Sequence, residues 1–261
     1  MATGAPLAAG PQGAVEKEEA WALGRKYLAE GRVSEAKAAF QRLLAGYPDE
    51  PDLHFLLALA ALRLRDASEA ERALRRALAA DRDHVQARTL LGWIELEVRG
   101  NADGAIREYS RVIELRPDAP DAYVNLGAAY KKKGELGRAL ANYNEALKRR
   151  PDDAAALANR GWVFIEQERW AEARADFDRA LGLRPKDPGA LQGLAQVLEK
   201  TRDYAGAQAV LQSLISQSPN FVFWLQWGRL GLIRFYWVLL LIAIGWYLAG
   251  RVRKARDVSH G

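Results

Sequence analysis

A 34-residue period of small, aromatic and proline residues runs through most of this 261-residue chain and constrains its fold more than any other feature. In residues 120–153 the recurring positions are held by Tyr123, Leu126, Gly127, Tyr130, Ala139, Tyr143, Ala146 and Pro151. In residues 154–187 they are held by Leu157, Gly161, Phe164, Ala173, Phe177, Ala180 and Pro185. Six copies of one small unit, none able to bury its apolar face alone, indicate a stacked repeat fold.

The recurring residues predict a pair of helices in each unit. Glycine allows two helices to approach closely, aromatic rings fill the space between them, and proline ends the second helix. The third unit contains one extra residue, which we place in the turn around Arg99–Asp103 because loops absorb insertions. The predicted units span residues 17–50, 51–84, 85–119, 120–153, 154–187 and 188–221, after a flexible leader at residues 1–16.

The pattern of these residues resembles that of the tetratricopeptide repeat (TPR) family over about four fifths of the chain. The resemblance implies an all-α, right-handed solenoid of six helix-turn-helix repeats that binds proteins. In this family the first helices line a concave groove, and their second, fifth, sixth, ninth, twelfth and thirteenth residues face it.

The groove positions of this chain carry a stripe of apolar residues and two amides. We predict a partner-binding groove at Trp21, Phe55, Leu59, Trp93, Asn125, Asn159 and Trp162. The stripe suits an amphipathic helix of a partner, or an extended peptide whose backbone the asparagine amides would hold. Two alternatives stay open: the apolar residues pack against neighbouring repeats or the leader, and the asparagines face solvent. The lysine and arginine pairs of chaperone-binding TPR proteins do not stand at the matching positions.

A strongly apolar segment follows the repeats. Residues 235–250 carry no charge, and these 16 residues span about 24 Å as a helix, against about 30 Å for a bilayer core. We predict a membrane-anchoring helix at residues 222–250, with Arg234 and Arg251 at its two edges and Trp237 and Trp246 at the interfaces. The alternative is a last, fully buried helix of the solenoid.

The charge is unevenly distributed along the chain. Residues 221–261 hold six basic residues and one acidic residue, and the rest of the chain has 32 of each. The basic tail at residues 251–261 therefore favours lipid headgroups, and no nucleic-acid partner is predicted. No signal peptide is recognisable, which places the solenoid in the cytoplasm of a single-pass protein, although the basic residues after the span favour a cytoplasmic C-terminus.

The residues that catalysis requires do not form a recognisable pattern. The chain has no cysteine, its three histidines are scattered, and phosphate-binding and nucleophile motifs are missing. We predict no enzyme activity, no cofactor and no metal site.

Two functional hypotheses remain. In the first, the protein is a membrane-anchored scaffold or adaptor whose groove recruits a protein partner to a membrane complex or to its assembly. In the second, it is a structural accessory subunit of a larger membrane complex, held by contacts of its transmembrane helix with other transmembrane helices or lipid.

Overall fold

Twelve named helices follow one another in a computed structural model that describes residues 11–217, 220, 222–233, 235, 238, 240–242 and 244. The first eight are α1 (Pro11–Ala29), α2 (Val33–Gly46), α3 (Pro51–Arg63), α4 (Ala67–Ala80), α5 (Val85–Trp93), α6 (Ala102–Leu115), α7 (Pro120–Lys132) and α8 (Leu136–Arg149). The other four are α9 (Ala154–Glu166), α10 (Trp170–Leu183), α11 (Pro188–Lys200) and α12 (Tyr204–Gln217). No strand occurs in this part of the chain, which confirms the predicted all-helical repeat fold.

The chain divides into two compact units, Met1–Arg150 and Pro151–Gly261. In the first unit, α1–α8 form four antiparallel hairpins, and in the second α9–α12 form two. Buried alanines and larger apolar residues from both helices of the hairpins fill the core of the first unit, as Ala36, Phe40 and Leu43 of α2 and Leu53 of α3 do at its start.

The turns inside the hairpins share one geometry. Each places a residue with positive φ two positions before the first residue of the next helix. These residues are Gly31, Arg65, Gly100, Gly134, Glu168 and Arg202, with φ between 58° and 84°. The following N–H donates to a carbonyl of the preceding helix, as Glu135 does to Tyr130 at 2.9 Å. This arrangement satisfies the free carbonyl groups at the helix end and fixes a tight reversal of the chain.

Glycine and aromatic residues pack together inside the hairpins. A Cβ added at Gly127 would lie 2.7 Å from the Tyr143 ring, and one added at Gly161 would lie 2.9 Å from Phe177. In the second hairpin Ala58 and Leu74 take these two places, and both are fully buried. Ala58 adds a methyl group where the fourth and fifth hairpins have glycine, and Leu74 is smaller than the aromatic ring it replaces. The total volume is therefore similar, and the two helices still pack closely.

The extra residue of the third repeat lies in a helix, not in the turn around Arg99–Asp103, and this part of the prediction was wrong. Helix α5 continues as a π-helix over Ile94–Val98, and the turn that follows keeps the three-residue length of the other hairpins. The Asn101 N–H bonds the Glu95 carbonyl at 2.7 Å, six residues back instead of five. A π-turn absorbs one residue without breaking the helix.

The two ends of the repeat region differ in part from the prediction. Helix α1 begins at Pro11, so residues 11–16, assigned above to a flexible leader, continue the first helix; proline is favoured at such a start because its missing N–H is not needed there. Residues 222–233 are helical and belong to the second unit, and Leu230 in this helix is fully buried. Within the described positions, no helix combines the length and apolar character required to cross a membrane.

Candidate functional site

Four of the seven predicted groove residues line one cleft in the first unit. Phe55 and Leu59 come from α3, Trp93 from α5 and Asn125 from α7, so three first helices contribute. The cleft has a volume of about 400 Å³. Its remaining lining residues are Val85, Gln86, Thr89, Leu90 and Tyr109.

Residues one helical turn apart form the walls of the cleft. Phe55 and Leu59 are half-buried on α3, and Thr89 and Trp93 occupy equivalent places on α5. The Thr89 hydroxyl donates to the Val85 carbonyl at 2.9 Å, so its hydrogen-bonding capacity is used within its own helix. The walls therefore offer a partner mainly apolar surface.

His84, the residue before α5, packs its ring against the Phe55 ring. The two rings are tilted at 40°, with their centroids 5.5 Å apart. His84 Nδ1 accepts the Ala87 N–H at 3.3 Å as the N-cap of α5, and Nε2 lies 3.1 Å from the Asp52 carboxylate. Both nitrogens are thus bonded, and the imidazole holds α3 and α5 together where Phe55 enters the cleft.

Trp93 is the most accessible large apolar side chain in the cleft. It is 44% exposed, whereas its neighbour Ile94 is buried in the core of the first unit. Tryptophan is among the residues most often found at energetically dominant positions of protein interfaces. A ring held at the cleft by a buried neighbour is suited to anchor a partner.

Asn125 and Tyr109 are two of the polar residues that line the cleft, beside Gln86 and Thr89. Asn125 is half-buried, and its amide makes no hydrogen bond within the described residues, so both its donor and its acceptor are available. Tyr109 is 2% exposed. Burial raises the pKa of its phenol well above the ordinary value, and the Glu97 carboxylate adds to the effect. The phenol is therefore neutral at physiological pH, and these two side chains bring no charge to the cleft.

The other three predicted groove residues lie elsewhere. Trp21 on α1 is half-buried against the core of the first unit and does not line the cleft. Asn159 and Trp162 belong to the second unit, where the Trp162 ring meets Phe177 edge to face at 5.7 Å. Trp21 and Trp162 thus pack in part against neighbouring residues, which is the alternative to a role in the groove.

Sequence reasoning did not single out five of the lining residues. Gln86, Thr89 and Leu90 occupy the second, fifth and sixth places of their repeat, so the same positional rule would have found them. Tyr109 stands at a core position of a second helix, and no sequence signal separates a core tyrosine from one that also reaches a cleft.

The predicted membrane residues Arg234, Trp237, Trp246 and Arg251 lie outside the described residues. Before them, the helix at residues 222–233 contacts the second unit through polar groups: the Gln208 side chain donates to the Trp227 carbonyl at 3.2 Å, and Arg229 pairs with Glu199. Five large apolar side chains on this helix are exposed, namely Val222, Trp224, Leu225, Leu232 and Ile233.

Comparison with solved structures identifies the fold. PilF of Pseudomonas aeruginosa has a TM-score of 0.70 at 17% identity, over 82% of this chain and 96% of that one. PilW, a widely conserved type IV pilus biogenesis factor, has 0.71 at 16% identity, over 78% and 94%. MamA from Desulfovibrio magneticus RS-1 has 0.61 at 18%, over 68% and 98%. These identities establish the fold alone.

Comparison with families extends this result. Among curated proteins, none matches the sequence. A family model described as the tetratricopeptide repeat protein 21 N-terminal ARM repeat matches residues 27–226, which is well over half of the chain. Together with the solved structures, this match confirms the predicted tetratricopeptide-type repeat protein. The chain belongs to the tetratricopeptide repeat protein 21 N-terminal ARM repeat family.

Proposed function

We propose that this protein is a membrane-anchored scaffold that binds a segment of a protein partner in the cleft between α3, α5 and α7. The observation that carries the proposal is the exposed Trp93 ring in an apolar cleft that also holds an amide free of internal hydrogen bonds. An apolar side chain of the partner would pack on Trp93, while the Asn125 amide bonds the partner's backbone. The geometry suits an amphipathic helix or an extended peptide, and nothing in it calls for catalysis.

Membrane attachment is the second part of the proposal. Its support is the uncharged run at residues 235–250, together with the six basic residues of the last 41 positions. The apolar surface exposed along residues 222–233 leads directly into that run. In this arrangement the repeats stay in the cytoplasm and the anchor concentrates the cleft near its partner. PilW's description as a pilus biogenesis factor agrees with a role in assembling a membrane complex.

A structural role in a larger membrane complex is the alternative, and the exposed apolar face at residues 222–233 favours it. Five of its side chains are between 39% and 66% exposed, namely Val222, Trp224, Leu225, Leu232 and Ile233. Such a face suits contact with other transmembrane or interfacial helices as well as with lipid. In that case residues 222–250, not the cleft, would determine which complex the protein joins.

Site-specific photo-crosslinking tests the cleft. A benzophenone amino acid at Thr89, inside the cleft, should link the full chain to its partner in native membranes, and the adduct should disappear when Trp93→Ala is added. The matched control carries the photoreactive group at Arg107, an exposed residue of α6 outside the cleft lining. The same adduct from both positions, or an adduct that survives Trp93→Ala, would refute cleft binding.

A further inference from the structure

Two adjacent hollows lie beside α2 and α4 in the first unit, away from the cleft. Their volumes are about 390 and 550 Å³, and His54 and Arg76 line both of them. Arg72 lines the smaller one. None of these three residues lines the cleft around Trp93. The hollows are therefore a separate feature of the molecule.

Arg72 and Arg76 are two cations without internal partners. They stand one helical turn apart on α4, both are exposed, and neither forms an ion pair or hydrogen bond with any described residue. Arg75, on the same helix, instead binds Glu71 at 2.8 Å and lies 3.6 Å from Glu95. Like charges at this spacing repel each other, so the interaction between Arg72 and Arg76 does not stabilise the helix.

His54 adds a buried polar atom. The residue is 4% exposed, and its Nε2 lies 2.7 Å from the Pro48 carbonyl oxygen, so this nitrogen carries the hydrogen and donates it. Its Nδ1 is buried and has no hydrogen-bond partner among the described atoms. Most buried polar atoms in proteins are hydrogen-bonded, so an Nδ1 without a partner among the described atoms is unusual.

The acidic residues near the hollows leave an excess of positive charge. Glu69 lines the smaller hollow, but Lys37 pairs with it and the Gln41 amide donates to it at 3.4 Å. Asp49 lines the larger hollow as its one carboxylate. The two guanidinium groups are thus not neutralised from within.

We propose that Arg72, Arg76 and His54 form a binding site for a phosphate group, either free phosphate or a phosphate monoester. Guanidinium groups match phosphate oxygens in pairs of parallel hydrogen bonds, and two of them can hold one phosphate from two sides. His54 lines both hollows, so its ring would lie beside a phosphate bound by the two arginines. The smaller hollow exceeds the size of a phosphate ion, which leaves room for the group that carries it.

Nuclear magnetic resonance of the histidine rings tests the site. The chain has three histidines, so the imidazole resonances of the full-length protein can be assigned one by one. On titration with inorganic phosphate, the His54 ring resonances should shift and saturate, because the ring lines both hollows. The His84 resonances should stay in place because both nitrogens of that ring are already bonded. A parallel titration with O-phosphoserine distinguishes a carried phosphate from the free ion.

Paired variants make the test decisive. Arg72→Gln with Arg76→Gln should weaken phosphate binding at least about tenfold, since each charged hydrogen bond is worth that much or more. Arg25→Gln with Arg107→Gln removes the same charge from two other exposed positions and should leave binding unchanged. Equal losses in both variants, or no movement of the His54 resonance in the unmodified protein, would overturn the proposal. Because no cleft residue is involved, either result leaves cleft binding untouched.

Discussion

At the scale of single residues, the hairpin turns depend on a left-handed backbone that three of them form without glycine. Arg65, Glu168 and Arg202 have φ values of 63°, 58° and 64°. A side chain in this region costs about 1–2 kcal/mol relative to the right-handed helix, and glycine avoids that cost. Replacing one of these three residues by glycine should therefore stabilise the fold.

We expect Arg202→Gly to raise the free energy of unfolding by about 0.5–1 kcal/mol, because it removes this strain and the Arg202 side chain forms no ion pair or hydrogen bond with the described residues. Gly134→Ala, at φ 84° in an equivalent turn, should lower it by about 1 kcal/mol. Urea denaturation followed by circular dichroism measures both. If Arg202→Gly destabilises the protein, the turn geometry described here is incorrect.

At the scale of helices, each hairpin is held by a matched pair of side chains, one small and one large. Gly127 and Tyr143 form such a pair, and Ala58 and Leu74 form another with a similar total volume. A methyl group at Gly127 would clash with the Tyr143 ring at 2.7 Å. An alanine and leucine pair should therefore replace a glycine and tyrosine pair only when both residues are changed together.

Gly127→Ala should lower the free energy of unfolding by about 1–3 kcal/mol through overpacking. Adding Tyr143→Leu, which copies the Ala58 and Leu74 pair, should recover at least about 1 kcal/mol of the loss expected from the two single changes combined. A double-mutant cycle measured by urea denaturation gives the coupling. Strictly additive effects would show that the two residues do not share one packing space.

A buried ion pair links α9 and α10 in the second unit. Arg160 binds both carboxylate oxygens of Asp176 at 2.7 Å, and the Asp176 side chain is 5% exposed. Asp176→Asn leaves the Arg160 charge poorly compensated and should cost about 3–5 kcal/mol of unfolding free energy. Asp178→Asn on the same helix breaks an exposed pair with Arg174 and should cost less than about 1 kcal/mol. Similar losses for both substitutions would contradict the importance of burial.

At the scale of the whole molecule, we assign partner binding and membrane attachment to different parts of the chain. The cleft lies in the first unit, and the apolar segment follows the last hairpin of the second. Neither feature shares residues with the other. Binding and membrane attachment should therefore be separable by mutation.

Deleting residues 235–250 tests the attachment alone. After an alkaline wash of native membranes, the full chain should stay with the pellet and the deleted chain should move to the supernatant. The helix at residues 222–233 remains in this variant, so the buried Leu230 and the ion pair of Arg229 with Glu199 are kept. Retention of the deleted chain in the pellet would show that the proposed anchor is not required.

Some features of the fold and of the cleft could be predicted from the sequence, and others could not. The helical repeats follow from the recurring glycine, aromatic and proline residues, since those residue types permit few other packings. The π-helix at Ile94–Val98 could not be predicted, because the residue spacing shows only that one residue is inserted. The same spacing fits an insertion in a loop or in a widened helix. Four groove residues meet in the cleft as their spacing required, whereas Trp21 shows that a groove position can also be covered by packing.

Purification of the full chain with its partner from native membranes in mild detergent tests whether the partner binds in the cleft. The comparison is between Trp93→Ala and Leu64→Ala, two apolar side chains exposed to similar extents at 44% and 42%, of which only Trp93 lines the cleft. We expect Trp93→Ala to lose the partner and Leu64→Ala to retain it, with both chains still helical and membrane-bound. A partner retained by Trp93→Ala but lost on replacing residues 222–250 by an unrelated transmembrane helix would contradict cleft binding and favour the structural subunit.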